Sequence, residues 1–393
     1  MLKKLLSLPA IILTMLISIG CFGSYIDIST KSHLLAISLL LKGIIVFILP
    51  FIIFSFVLCG LLSLKNESLK MVLILVPLVC LSNFSGFWVS YMVAVPVLKT
   101  GIVTISKFDV SNVVSPAWDV PITPLIKNDI ALLAGVITGL IGNITKAPAM
   151  DMIKDRLNTA ANFVLKKVIC PVLPVFVLGF ITKMQHEETL GLMMREYAVL
   201  LGLVGALAYG YMLLVMFMMS GRSLRSTFAK FRNMLPGVLI GLFCMSSAAA
   251  IPVTIAGSEK NLKNPNIAKF VVPATANTHL LGDCFAIPII GLALMVSFGY
   301  ELPTVWHYLI FTLYGVVAKF AAAGIPGGSA LVFIPILESV FGFSAPMLTA
   351  VVAVYVLFDP IATSANVFGH GMFAILFEKV YNRLIKRSER EIS

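Results

Sequence analysis

The chain has 393 residues, of which 59% are hydrophobic and 12% are charged, and its mean hydropathy is +1.00. Soluble domains carry about 25% charged residues, so these proportions exclude a soluble globular domain. The net charge is +11, but the basic residues form short clusters between apolar runs, which is typical of cytoplasmic loops and not of a nucleic-acid surface. We therefore expect a multi-pass protein of the cell inner or plasma membrane, surrounded by lipid and without a nucleic-acid partner.

The first half of the chain is a series of plain apolar runs. A helix needs about 20 apolar residues to cross the hydrocarbon core, and runs of this kind lie near 8–28, 34–64, 69–98, 128–145, 159–183 and 191–220. The first run follows Lys3 and Lys4 and resembles a secretory signal, but we interpret it as an uncleaved first helix because many spans follow. The stretch 99–127 is more polar and holds three prolines, which predicts an irregular loop or a broken part of the fourth span.

Basic residues cluster in the loop 221–232 and in the tail 381–393. Both are expected on the cytoplasmic side, because Lys and Arg mark cytoplasmic loops. The two lysines at the start of the chain agree with this orientation. An even number of full spans is therefore expected.

Two apolar segments of the second half are interrupted near their middle. Segment 233–257 contains Ser246-Ser247-Ala-Ala-Ala-Ile-Pro, and segment 308–340 contains Ala-Ala-Ala-Gly-Ile-Pro-Gly-Gly-Ser, so the two share a weak internal repeat. Proline and glycine stop a helix, and the simplest interpretation is a pair of re-entrant hairpins. The alternative is a pair of kinked full spans whose small residues pack closely.

Each interrupted segment is followed by a longer one that is predicted to be broken. Residues 274–279 read Ala-Thr-Ala-Asn-Thr-His, and the last apolar segment contains Asp359 followed by Pro360, which favours an unwound or kinked backbone at that point. Paired interruptions in corresponding halves of a membrane protein indicate a transport site near the midplane.

The last segment carries four polar residues on one helix face. Asp359, Thr363, Asn366 and His370 are spaced at i, i+4, i+7 and i+11, which aligns them in an α-helix. Such groups are costly in a membrane unless they face the bundle interior or water. This pattern favours a pathway for a substrate and an ion, and the alternative is a polar contact that holds helices together.

A second polar cluster lies at residues 275–279 and ends at His279. Asp283 follows His279 by four residues and is expected to orient the imidazole on the same helix face. Lys319, inside the second interrupted segment, is expected to snorkel toward the membrane surface.

These motifs resemble, in order and spacing, the dicarboxylate/amino acid:cation symporter family with the glutamate-transporter fold. The motif resemblance covers residues 232–380, and the first half is similar in its span pattern alone. The resemblance implies an all-α integral membrane protein with about eight transmembrane helices and two re-entrant helical hairpins that act as gates. It also implies a homotrimer and an inverted-repeat elevator, in which a transport domain moves against a scaffold.

The resemblance also divides the chain into parts. It places scaffold helices 1 and 2 in residues 1–66, transport-domain helix 3 in 67–100, scaffold helices 4 and 5 in 101–190, the transport core in 191–380 and a basic cytoplasmic tail in 381–393. The core comprises helix 6, hairpin 1, helix 7, hairpin 2 and helix 8.

Site residues follow from the resemblance position by position. Asp359 is similar to the partner of the substrate amino group, and the implied substrate contacts are Ser246, Ser247, Ile325, Pro326, Gly327, Gly328, Asp359, Thr363 and Asn366. The implied ion-coupling residues are Thr275, Asn277, Thr278, His279, Asn366 and His370. No catalytic residue, resident metal or cofactor is implied, since the only additional species would be the coupling ion, H⁺ or Na⁺.

The chain departs from the family pattern at informative positions. His279 and His370 stand where the family has sodium-binding aspartates, and Ala362 and Met245 stand where it has arginines. Hard cations prefer oxygen ligands, whereas imidazole binds protons or softer metals. Two of the family's three sodium sites are thus expected to be lost or remade, while a third, built from backbone carbonyls near 321–323 with Thr275, can persist.

These observations predict a secondary active symporter, and not an enzyme, for a small amino acid or carboxylate. Proton coupling through His279 and His370, or loss of sodium coupling, is the expected mechanism. The missing arginine at Ala362 favours a neutral amino acid, although a protonated histidine leaves dicarboxylates and acidic amino acids open. An uncoupled family member acting as a channel or receptor is a further alternative.

Overall fold

A computed structural model describes residues 8–62, 69–101, 114–122, 125–126, 128–145, 148–321 and 328–392, and every regular element in these ranges is helical. The α-helices in the described ranges are α1 (Leu8–Phe22), α2 (Ile28–Leu62), α3 (Leu69–Thr100), α4 (Asn128–Thr145), α5 (Pro148–Phe163), α6 (Cys170–His186), α7 (Thr189–Met219), α8 (Leu224–Cys244), α9 (Ser247–Glu259), α10 (Asn266–Thr275), α11 (Leu281–Ser297), α12 (Val305–Ala318), α13 (Gly328–Phe341) and α14 (Ala345–Ile392). A π-helical turn at Val164–Ile169 and 3₁₀ turns at Gly23–Tyr25 and Lys319–Ala321 complete the set.

The helices of the first half follow the apolar runs closely, with one difference. The run near 159–183 is only part of a longer helical stretch, because α5 begins at Pro148 and continues through the π-helical turn into α6. Residues 114–122 have no regular structure, as the polar composition predicts. They lie against the start of α2, where the Ser32 hydroxyl donates to the carbonyl of Ser115 at 2.6 Å.

Among the described residues, three helices are long and apolar enough to cross a membrane. They are Met71–Thr100, Arg195–Met219 and Ala345–Leu384, within α3, α7 and α14. By contrast, α12 and α13 have 14 residues each and are about 21 Å long. They are therefore shorter than the hydrocarbon core of roughly 30 Å.

The first interrupted segment folds back on itself, and we call it hairpin 1 (α8, residues 245–246 and α9). Met245 ends α8 with a φ of +50°. The Asn233 amide donates to the Asn261 side chain at 2.8 Å, and a Cβ at Gly237 would lie 2.7 Å from the Thr254 hydroxyl. Because early residues of α8 face late residues of α9, the two helices are antiparallel, which excludes the kinked full span.

The second interrupted segment has the same form, and we call it hairpin 2 (α12, residues 319–327 and α13). The rings of Phe311 and Phe341 stack with centroids 4.8 Å apart. A Cβ at Gly315 would lie 3.2 Å from the Phe333 ring. Phe311 precedes Gly315 in α12, whereas its partner Phe341 follows Phe333 in α13, so the arms are antiparallel.

The segment after hairpin 1 is broken as predicted. Five residues, 276–280, separate α10 from α11. The backbone amides of Thr278 and His279 both donate to the carbonyl of Thr275, at 3.1 and 2.9 Å. The Asn83 side chain, on α3, donates to the carbonyl of Thr278 at 2.7 Å, which satisfies a backbone group that the break leaves unpaired.

The predicted break in the last segment is wrong. α14 continues without interruption from Ala345 to Ile392, with Pro360 inside it. A proline removes one backbone donor and strains the preceding turn, but α14 packs against α7, α8, α9, α10 and α11. Most helical stability in proteins comes from such packing, and here it outweighs the local cost of the proline.

The helices form two packing groups. In the first group, α2 packs against α4, α5 and α6. In the second, α3, α7, both hairpins and α10 pack around α11 and α14. The predicted site residues that the structure describes belong to the second group, which we call the core group.

α11 and α14 cross at backbone contact. A Cβ built at Gly282 would collide with the carbonyl oxygen of Ala362. A Cβ at Gly241 of hairpin 1 would lie 3.2 Å from the carbonyl oxygen of Thr363. Two glycines, one on α11 and one on hairpin 1, therefore allow close approach to the polar stretch of α14.

Replacing the glycine at this crossing should destabilise the fold. In Gly282→Ala, the added methyl group meets a carbonyl oxygen that cannot move without displacing α14, and overpacking of this kind costs about 1–3 kcal/mol. We expect a lower thermal midpoint in detergent. Gly202→Ala is the matched control, because nothing lies within 4 Å of its Cβ position and alanine favours helices. Equal midpoints for both variants would contradict the close crossing.

Candidate functional site

The polar face of α14 is buried along its whole length. The exposed fractions of Asp359, Thr363, Asn366 and His370 are 3%, 5%, 3% and 1%, as expected of polar residues inside a membrane bundle. The four side chains do not converge on one point. The Thr363 hydroxyl donates to the Asp359 carboxylate at 2.8 Å, whereas Asn366 and His370 bond to residues of the broken segment.

Asp283 receives hydrogen bonds on both carboxylate oxygens. Oδ1 accepts from the Tyr355 hydroxyl at 2.7 Å and from the Asn366 amide at 3.1 Å. Oδ2 accepts from the Ser329 hydroxyl at 2.5 Å and lies 3.4 Å from the Lys319 ammonium. One carboxylate on α11 thus contacts α14 and both arms of hairpin 2.

This arrangement corrects two expectations. Lys319 does not snorkel, because its side chain is fully buried beside Asp283. Asp283 does not orient His279, because the i, i+4 relation holds only inside a continuous helix and α11 begins at Leu281. The break turns His279 away from Asp283 and toward α3.

The two histidines lie together in the core group. The Nε2 atom of His279 is 2.8 Å from the Ser82 hydroxyl, and the His370 ring bonds to the backbone of His279. The His279 ring also packs on Phe373, with centroids 4.4 Å apart. Within the described ranges, Nδ1 of His279 and Nε2 of His370 are buried without a hydrogen-bond partner. Each imidazole therefore keeps one nitrogen at which a proton can be gained or lost.

The other predicted ion-coupling residues are less concentrated. The hydroxyls of Thr275 and Thr278 donate to carbonyls of their own helix, at 2.7 and 2.9 Å. Asn277 is exposed, whereas Asn366 is buried against Asp283. The structure therefore does not bring the two asparagines together.

The hairpin residues predicted to contact substrate lie where each hairpin turns. Ser246 is half-buried, Ser247 is 4% exposed, and Gly328 is buried at the start of α13. The predicted tip residues Ile325, Pro326 and Gly327 lie outside the described residues. Hairpin 1 reaches the polar stretch of α14 through the contact of Gly241 described above.

Sequence reasoning missed several residues that complete this core. Ser82 and Asn83 form a polar pair inside the otherwise apolar α3, and the argument applied to α14 would have singled them out. Tyr355 precedes Asp359 by four residues and extends the same polar face by one turn. Ser329 had no distinguishing signal, because a serine after glycines is common at the start of a helix.

Asn83 should be essential for the stability of the broken segment. In Asn83→Ala the buried carbonyl of Thr278 loses its donor, and an unsatisfied buried group costs about 1–3 kcal/mol. We expect a lower thermal midpoint in detergent. Leu81→Ala is the control on the same helix, because Leu81 is 63% exposed. If both variants melt like the unmodified protein, the contact does not support the break.

Comparison with known proteins is consistent with this architecture. A serine/threonine transporter (SstT) of Acinetobacter baumannii is 30% identical over 139 residues, which is 35% of this chain and 34% of that protein. The SstT protein of Streptococcus thermophilus is 24% identical over 237 residues, covering 59% of this chain and 58% of that protein. Excitatory amino acid transporter 4 of Mus musculus is 26% identical over 245 residues, 61% and 43% of the two chains. These matches span between a third and three fifths of the relatives' lengths.

A family-wide match covers far more of the chain. The model of the sodium:dicarboxylate symporter family matches residues 6–380, which includes the first half, where the motifs gave no specific resemblance. This family comprises transporters that use a coupling ion and no bound cofactor, in agreement with the expectation of a symporter and not an enzyme. The resemblance inferred from the motifs is confirmed, and the chain belongs to the sodium:dicarboxylate symporter family.

Proposed function

We propose that this protein is a secondary active symporter of a small neutral amino acid, and that protons replace sodium as its coupling ion. The observation that carries this proposal is the chemistry of the core group. Two antiparallel hairpins and a broken helix meet the buried polar face of α14, and His279 and His370 lie together at positions to which the family resemblance assigns sodium-binding aspartates. The protein thus combines the elements of a symporter with two histidines, whose imidazoles bind protons more readily than sodium.

The substrate proposal rests on Asp359 and Ala362. A buried carboxylate that already accepts from the Thr363 hydroxyl suits an amino group, while Ala362 offers no charge to an acidic side chain. The names of the two SstT relatives favour a neutral, hydroxyl-bearing amino acid. The family is named for dicarboxylates, so a dicarboxylate or an acidic amino acid is the second candidate. Ser246, Ser247 and Gly328 are proposed to hold the substrate carboxylate.

The coupling proposal rests on the two adjacent imidazoles. Each has one buried nitrogen without a partner among the described residues, and buried polar atoms are normally satisfied. A nitrogen that is not engaged in a hydrogen bond is a position at which an imidazole takes up a proton. Thr275, Asn277 and Thr278 are weaker candidates for ion coupling, because two of them bond to their own helix and the third is exposed.

The architecture proposed with this function is a homotrimer with about eight spans in the cell inner or plasma membrane. The two packing groups support the division into a scaffold, residues 1–66 and 101–190, and a mobile part, residues 67–100 and 191–380. The group around α2 would be the scaffold. The core group would move against it as an elevator.

Uptake into proteoliposomes tests the coupling ion. An inward proton gradient in sodium-free buffer should drive concentrative uptake of labelled serine, because the histidines bind protons. His279→Gln and His370→Gln should reduce proton-driven uptake to the level of protein-free liposomes. His307→Gln is the control, since His307 is exposed and bonds to Thr304. Uptake that requires sodium and ignores the pH gradient would refute proton coupling, and equilibration without concentration would indicate a channel.

Competition among substrates tests the binding site. Unlabelled serine and alanine should displace labelled serine at concentrations at which aspartate does not, because Ala362 stands where the family resemblance has an arginine. Asp359→Asn should abolish binding by removing the partner of the amino group, whereas Asp119→Asn, in an exposed part of the chain, should bind normally. Preferential displacement by aspartate or succinate would favour the acidic candidate instead.

A further inference from the structure

A buried ion pair lies where hairpin 2 joins the core group. The side chains of Lys319 and Asp283 have exposed fractions of 0% and 1%, and the ammonium is 3.4 Å from Oδ2. Burying two charges is costly unless the pair is well placed and the remaining hydrogen-bonding groups are satisfied. An apolar residue at position 319 would avoid the free-energy cost of burying a charge. The presence of a lysine there therefore needs an explanation.

The surroundings of the ammonium supply only one counter-charge. Lys319 Nζ lies 4.8 Å from the ring centre of Phe333 and 5.7 Å from that of Phe87. Aromatic faces of this kind attract cations. Within the described ranges Nζ has no hydrogen-bond acceptor, and Asp283 is its only ion-pair partner. The Asp283 carboxylate and the faces of two aromatic rings thus hold the ammonium in place, and the same groups would attract a free cation.

The carboxylate has the opposite character. All four groups around Asp283 are donors or cations, from Ser329, Tyr355, Asn366 and Lys319. Lys319 ends the first arm of hairpin 2, and Ser329 lies in the first turn of the second arm. The contacts of Lys319 and Ser329 with this carboxylate therefore hold hairpin 2 against α11, and the contacts of Tyr355 and Asn366 hold α14 there as well.

We infer that Lys319 is a tethered cation, which takes the place of a diffusible coupling cation near the turn of hairpin 2. A metal cation at this point would neutralise Asp283 and fasten the hairpin only while it was bound. The lysine performs both tasks permanently, so closure of the hairpin does not depend on the cation concentration. The inference rests on the proposed function in one respect, namely that hairpin 2 is a gate.

This arrangement predicts that a cation site appears when the tether is removed. Lys319→Ala leaves a cavity beside the oxygen atoms of Asp283 and Ser329, and hard cations prefer oxygen ligands. A cation that binds only the folded state raises apparent stability in a saturable manner. The site is therefore detectable without substrate and without transport.

The experiment is a thermal-shift titration of the purified full-length protein in detergent. Ionic strength is held constant while choline chloride is exchanged for sodium, lithium or potassium chloride. The unmodified protein should have the same thermal midpoint in every salt. Lys319→Ala should melt lower in choline chloride and recover in a saturable manner with at least one metal cation. Lys31→Ala is the matched control, because Lys31 is also buried but bonds to the neutral Gln185 side chain at 3.0 Å, and it should show no cation-specific recovery.

A second variant keeps the test decisive if Lys319→Ala does not fold in any salt. Asp283→Asn combined with Lys319→Ala removes both charges, and it should melt higher than Lys319→Ala in choline chloride without responding to metal cations. If the double variant is no more stable than the single one, Lys319 acts through packing and the inference fails. It also fails if folded Lys319→Ala ignores every metal cation, or if the unmodified protein responds as strongly.

Because these measurements use no substrate, their failure is distinguishable from failure of the proposed transport. A protein that shows the cation-specific recovery but no proton-driven uptake would retain the tethered cation and lose the proposed coupling. The reverse result would retain the coupling and lose the tether.

Discussion

The core of this protein depends on one constraint, which is that polar groups inside a membrane bundle must be satisfied by the protein itself. Asp283 meets this constraint with donors from α14 and from both arms of hairpin 2. Asn83 meets it for the carbonyl exposed by the break between α10 and α11. In both cases a single polar side chain joins elements that are far apart in the chain. Hydrophobic burial is weakly directional, so these polar contacts determine how the elements are oriented.

Much of the fold could be predicted from local properties of the sequence. The length of apolar runs located the first-half helices, because the bilayer thickness fixes how many residues a span needs. Interruption of the apolar pattern by small residues, glycine and proline located the two hairpins to within a few residues, although hairpin 1 turns at Met245 and Ser246, and Pro252 lies inside α9. The break at residues 276–280 followed from polar residues in the middle of an apolar segment. Each of these signals is contained within about 20 neighbouring residues, which is the length of a single span.

The errors arose where distant contacts outweighed local preference. Pro360 indicated a break, but burial of α14 on nearly every side keeps the helix continuous. Lys319 was expected to extend toward water, because nothing near it in the sequence carries a negative charge. Its partner Asp283 is 36 residues away, and the i, i+4 rule had assigned that carboxylate to His279. A pairing that depends on how a hairpin packs cannot be obtained from spacing along one helix.

The backbone contact between Gly282 and Ala362 has a mechanical consequence. Side chains in contact can change rotamer and let two helices slide, but two main chains in contact leave nothing to adjust. α11 and α14 are therefore expected to behave as one rigid body, so that the side chains they carry keep their mutual distances during any large displacement. The cost of such a displacement then falls on the boundary with the α2 group and on the surrounding lipid.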